Sequence, residues 1–175
     1  PTHVNEGRVH RVSNNIPNYS HFNLHSPFPT KVAMAGDYAD PSIMRDGKDF
    51  YMTHSPMNYS PGLLIWHSTD FVNWEPIARP LIQPKDALWA PEILKHDGKF
   101  YIYYPSARKE NYVIWANDIR GPWSEPILTG VKGIDPGHVV TADGTRYLYT
   151  DKGAVTKLTD DGFHADGVAD TVYAG

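Results

Sequence analysis

From residue 42 onward the chain alternates short apolar runs with clusters of Gly, Pro, Asn and Asp, a pattern that predicts strands separated by turns. Residues 42–45 run into Asp46-Gly47, a hairpin signal, and then into Asp49-Phe50-Tyr51-Met52-Thr53. A loop over 55–62 leads to a third strand, Leu63-Leu64-Ile65-Trp66-His67-Ser68, and Asp70 to Ile77 reads as a turn plus a fourth. The order then repeats. Ile93-Leu94-Lys95, Asp97-Gly98, Phe100 to Tyr104 and Tyr112 to Ala116 precede a fourth strand introduced by Gly121-Pro122-Trp123. A third copy gives Val139-Val140, Asp143-Gly144, Arg146 to Tyr149 and Ala154 to Leu158, with a weak last strand.

Each copy opens on a proline: Ala39-Asp40-Pro41, Trp89-Ala90-Pro91 and Ile134-Asp135-Pro136. Pro41 and Pro91 are 50 residues apart, and Pro91 and Pro136 are 45 apart. Four strands per unit at this period predict an all-β propeller of four-stranded antiparallel blades. A β-sandwich would also give short strands, but not three aligned copies of one unit. The blades are expected near 37–86, 87–131 and 132–175, after an N-terminal lead-in over 1–36. Three blades do not close a ring of the usual four to eight, so further blades are expected from sequence beyond residue 175.

Composition narrows the picture. The net charge of −4, without a Lys/Arg run, argues against nucleic acid, and no apolar run is long enough for a membrane span. The absence of cysteine removes disulfides and thiolate chemistry together. The lead-in histidines His3, His10, His21 and His25 have no metal-ligand spacing. No signal peptide is visible, although the chain starts at Pro1.

The first strand of a propeller blade lines the central channel. Asp40 and Asp135 hold the same repeat position and should both face that channel. Two carboxylates across a wet cavity suit glycoside hydrolysis by inversion, in which a base activates water while an acid protonates the leaving oxygen. Spacing alone leaves open whether they are catalytic or merely start strands. Alanine in the second copy suggests that blade geometry does not demand the carboxylate.

The run Gly36-Asp37-Tyr38-Ala39-Asp40-Pro41-Ser42-Ile43, with Phe50 to Ser55 and Pro61 to Trp74, resembles the first blade of glycoside hydrolase family 43. Trp89-Ala90-Pro91-Glu92 with Phe100 to Tyr104 resembles its second blade, and Ile134-Asp135-Pro136 with Asp143 to Leu148 its third. The resemblance covers about residues 36–150 and rests on the order and spacing of short motifs. It implies a five-bladed propeller of inverting glycosidases, mainly β-xylosidases, α-L-arabinofuranosidases, arabinanases and exo-galactanases. Asp40 would be the general base, and Asp135 the carboxylate that orients the site and tunes the acid. The family's acid is a glutamate of the next inner strand, which none of Glu6, Glu75, Glu92, Glu110 and Glu125 matches.

Four further residues are candidates for substrate binding. Trp89 should sit at the cavity mouth, where its indole could stack on a sugar; plain packing is the alternative. Glu92 lies one place past the proline and reads as a pocket-rim or structural residue. His54 could border the pocket or be a structural histidine. His138 stands where the family more often has serine. Some members hold calcium in the channel partly through a histidine, which leaves a structural calcium in the channel as a secondary expectation, although no partner ligands are evident here; no cofactor is required and no metal ligand is assigned. Trp66 and Trp115 favour packing between blades, Trp74 and Trp123 structural roles, and Phe22 and Phe28 burial. The leading expectation is an exo-acting glycosidase on plant-type polysaccharide or oligosaccharide, secreted or periplasmic, with the cytoplasm as the alternative. A non-catalytic carbohydrate-binding propeller is the second reading. The third is a related glycosidase acting on galactan, fructan or anhydrogalactose.

Overall fold

The structure, a computed structural model, describes residues 32–172. The lead-in residues His3, His10, His21, His25, Phe22 and Phe28 lie outside them, and the account below concerns the unit that starts at Gly36. Among the described residues, twelve strands form three four-stranded antiparallel sheets, with one short 3-10 turn at Asp151–Gly153. The first sheet holds β1 (Ala39–Asp46), β2 (Asp49–Ser55), β3 (Ile65–Ser68) and β4 (Glu75–Ala78) in sequence order. The second holds β5 (Glu92–His96), β6 (Lys99–Pro105), β7 (Glu110–Ala116) and β8 (Ile127–Lys132). The third holds β9 (Gly137–Val140), β10 (Arg146–Thr150), β11 (Ala154–Lys157) and the two-residue β12 (Asp170–Thr171). β5 lies beside both β1 and β9, so the first strand of each sheet is the one brought together with its counterparts.

The three Asp-Gly signals mark one connection but not one turn. Asp97 and Gly98, both at positive φ, are the two central residues between His96 and Lys99, a type I′ arrangement. In the first sheet Asp46 pairs with Asp49, which leaves Gly47-Lys48 in the centre with only Gly47 at positive φ. In the third, five residues separate Val140 from Arg146, closed by Thr141 N donating to Thr145 O at 2.9 Å. The fourth strands of the first two sheets are each preceded by a side-chain-locked turn. Asp70 accepts from the N–H groups of Val72 and Asn73, and the indoles of Trp74 and Trp123 donate back to Phe71 O and Ile119 O.

β6 shows why the sheets stack. Its alternate residues point to opposite faces, and both faces are buried. Phe100, Ile102 and Tyr104 join Met44, Leu63, Ile65 and Ile114 in one core against the first sheet. Tyr101 and Tyr103 join Val113, Val131, Leu148 and Leu158 in a second core against the third sheet. Each fully buried aliphatic there contributes about 1.5–3 kcal/mol. The end faces differ: Val139, Tyr147 and Tyr149, on the face of the third sheet away from Leu148, are half-buried or exposed.

Candidate active site

Asp40 occupies a β-bulge. Ala39 pairs with Ser55 and Ser42 with Thr53, so Asp40 and Pro41 together oppose the single residue His54. Proline suits this place because a bulge residue needs no ladder N–H. Asp40 takes φ 51°, the left-handed region that in such bulges is most often filled by glycine. The bulge turns an exposed carboxylate out of the sheet plane, and Ser55 Oγ fixes it by donating to Asp40 Oδ2 at 2.7 Å.

Asp135 repeats the backbone state with φ 55° and is likewise exposed. Its support is different. The preceding residue Ile134 is held at both ends by Asp151: Ile134 N donates to Asp151 Oδ1 and Asp151 N donates to Ile134 O, each 2.9 Å. Thr150 Oγ1 donates to Lys132 O at 3.2 Å. Ala90 is not among the positive-φ residues, and Trp89 is tied by its own N–H to Pro105 O at 3.1 Å. Trp89 is half-buried.

Glu92 is half-buried and links the first strands of two sheets. Ser42 Oγ donates to Glu92 Oε2 at 3.2 Å and accepts from Ile93 N at 3.0 Å. Burial pushes the Glu92 carboxyl above its ordinary range, with the Ser42 hydroxyl opposing. His54 points into packed interior: it is 8% exposed, its ring lies edge-on to Tyr38 at 5.0 Å, and Nε2 has no hydrogen-bond partner among the described residues.

His138, three residues past Asp135, belongs to a buried cationic junction between the second and third sheets. Arg146, 2% exposed, donates from Nε to His138 Nε2 at 3.0 Å and from Nη2 to Tyr103 Oη at 3.2 Å. Its guanidinium lies 4.7 Å from the Tyr101 ring centroid, and Tyr103 Oη donates to Gly162 O at 2.7 Å. Burial first, then Arg146 and His96, push the His138 imidazole down to about 4. A neutral ring whose Nε2 accepts from Arg146 carries its proton on Nδ1. This environment does not fit a calcium ion, and no group of three His, Cys, Asp or Glu able to hold a metal occurs among the described residues.

Sequence reasoning missed Ser55, Asp151 and Arg146. A signal existed for the first: Ser55 and Thr150 stand at the same offset past their aspartates, whereas Pro105 holds that place in the second copy.

A family model, Glycosyl hydrolases family 43, matches residues 29–174. The chain is 35% identical over 134 residues to Xylosidase/arabinosidase 43B of Humicola insolens, covering 66% of this chain and 25% of that protein. It is 34% identical over 137 residues to a Beta-xylosidase of Bacillus subtilis (strain 168), covering 68% and 26%. The crystal structure of the GH43 BlXynB protein from Bacillus licheniformis superposes with a TM-score of 0.75 at 28% identity, covering 83% of this chain and 33% of that one. The chain therefore spans about a quarter of the length of these two curated relatives.

Proposed function

The chain belongs to glycosyl hydrolases family 43, and from that premise we propose that it carries the base side of an inverting, exo-acting glycosidase site. The substrates are plant-type polysaccharides or oligosaccharides of the kind cleaved by β-xylosidases or α-L-arabinofuranosidases. The carrying observation is that Asp40 and Asp135 share one repeat position, one left-handed backbone state and exposure to solvent. Asp40, held through Oδ2 by Ser55, keeps Oδ1 to take a proton from water. That water attacks the anomeric carbon from the face opposite the leaving group, and the leaving oxygen takes its proton from an acid. Asp135 orients this acid.

The chain's described glutamates do not fit the acid: Glu125 lies off the first strands, just before β8, and the others are engaged elsewhere. Glu92 is tied to Ser42, Glu110 to Lys132 Nζ at 2.6 Å, and Glu75 lies 3.5 Å from His67 Nδ1. Further blades supply the acid and pack against the end faces, where Val139 and Tyr149 are exposed.

Asn is the informative replacement for Asp40, since it also tolerates the left-handed backbone; Ala would add about 1 kcal/mol of strain. Asp40→Asn in the intact protein lowers turnover of nitrophenyl pentosides by about 10²–10⁴-fold with folding unchanged. Near-wild-type turnover, or retention of configuration in the product by NMR, overturns the reading.

A further inference from the structure

We propose that a cleft on the outer part of the second sheet, apart from Asp40 and Asp135, is a second binding site that takes a single neutral sugar ring. The cleft has a volume of about 290 Å³ and opens between the β4–β5 connection and the β6–β7–β8 side of the second sheet. None of Asp40, Trp89, Glu92 and Asp135 lines it. Its walls are fixed: Leu81 O accepts from Gly62 N at 2.7 Å, Leu88 N donates to Met57 O at 3.0 Å, and Ala107 N donates to Ala87 O at 2.9 Å. It is therefore a preformed hollow.

Two hydroxyls in its lining have hydrogen-bonding capacity left over among the described residues. Tyr104 is 3% exposed, yet its Oη makes no hydrogen bond among the described residues. Burial, first among the causes, pushes this phenol above its ordinary range, so it stays a donor. Ser106 is 2% exposed; its Oγ accepts from Arg108 N at 3.2 Å, while its own proton has no acceptor among the described residues. A ligand hydroxyl that bonds these groups adds direct hydrogen bonds in a hollow that is already formed.

The lining chooses the ligand class. Tyr104 and Tyr112 stack at 5.8 Å with 16° between their planes, and the half-buried Tyr112 offers a flat apolar face to sugar C–H groups. Gln83 supplies a donor and an acceptor together. The charges balance: Asp86 is engaged by Arg108 at 3.5 Å, and Lys85 and Glu125 are of opposite sign. A ring of hydroxyls, each both donor and acceptor, meets these groups without a net charge. The volume, at the low end of ligand pockets, holds one ring rather than a chain.

The test is titration of the intact protein with D-xylose, L-arabinose, D-galactose and, as a small-polyol control, glycerol, followed by amide ¹H–¹⁵N spectra. The expected result is millimolar saturation at the amides of Gln83, Ser106, Tyr112 and Glu125 with at least one sugar and not with glycerol. Tyr104→Phe weakens it about fivefold, the share of one hydrogen bond, and leaves nitrophenyl pentoside hydrolysis unchanged. Ser106→Ala serves as the second variant should Tyr104→Phe perturb the fold. Shifts confined to the strands carrying Asp40 and Asp135, saturation equal with glycerol, or affinity unmoved by both variants overturns the proposal. The outcome is independent of whether Asp40 is the base.

Discussion

The His138–Arg146 junction makes a pH dependence that can be worked out. His138 is half-buried, accepts from Arg146 Nε, and has His96 with its ring centroid 6.1 Å away. The charged neighbours are thus cationic or basic; Asp161 lies further along the same junction, and against the opposing effect of burial its carboxyl is held low by the Thr159 hydroxyl and the Phe163 N–H, then by His164 and Arg146. The imidazole titrates at about 4 in the fold, against 6.5 ordinarily. Its folded value is depressed, so the native state refuses a proton that the unfolded chain accepts. The stability this provides is complete above about pH 6.5 and is lost progressively as pH falls towards about 4. At 1.36 kcal/mol per unit the loss is about 3 kcal/mol at most, less for the ring's partial exposure. The control is His138→Gln, which keeps an acceptor for Arg146 and cannot titrate. Urea unfolding at steps from about pH 7.5 to 4 should show wild type losing stability faster than the variant across that window. Other carboxylates titrate in both proteins and cancel in the difference. A difference that stays flat, or a His138 proton signal titrating near the ordinary imidazole range, refutes the reasoning.

Three further outcomes are expected. Ser55→Ala removes the hydroxyl that fixes Asp40; turnover falls about ten- to a hundredfold with a smaller change in KM, and an unchanged turnover would remove Ser55 from the site. Glu92→Gln keeps an acceptor for Ser42 but loses the buried charge. Because the folded value is raised, the wild-type carboxyl's contribution is present below the ordinary carboxylate range and lost as pH rises through the folded value. The variant should therefore gain stability relative to wild type as pH rises above the ordinary carboxylate range, and thermal melts showing a constant difference contradict this. Gly133 sits at φ 111°, and a Cβ there would stand 2.6 Å from Asp151 Oδ1 and 2.7 Å from Thr150 Oγ1. Gly133→Ala is expected to cost about 2–3 kcal/mol and to loosen the Asp151 hold on Ile134, read as a lowered melting point with impaired turnover.

The propeller-type fold was legible because its cause is local. Short apolar runs, an Asp-Gly connection and an opening proline recur in each copy; of the third-strand tryptophans, Trp115 packs against the core between the second and third sheets, whereas Trp66 lies edge-on to Tyr38. What could not be read was the choice among turn geometries. Asp-Gly takes the two central places in the second sheet, is displaced by one residue in the first, and lies in a five-residue loop in the third. That choice depends on strand pairing, which the dipeptide does not encode. Arg146 was equally hidden. As a sequence element it is one more strand residue, and only the stacking of Tyr101, Tyr103 and His138 around it makes it a buried junction.

The candidate site was legible in its identities and misleading in its logic. In the sequence, alanine at 90 looks like an internal control showing that a blade start does not need aspartate. The backbone removes that control: Asp40 and Asp135 adopt left-handed φ, and Ala90 does not. Aspartate and asparagine tolerate that region far better than alanine, so local conformation alone gives a reason for the two acids. The case for chemistry passes to what conformation does not require. The bulge leaves the Asp40 carboxylate exposed, and a nearly buried serine on the neighbouring strand spends its hydroxyl on it. A residue chosen only for its backbone needs no such partner, and glycine would serve the left-handed position without strain. The Ser55 contact, more than the repeated Asp-Pro, is what separates a positioned base from a strand start.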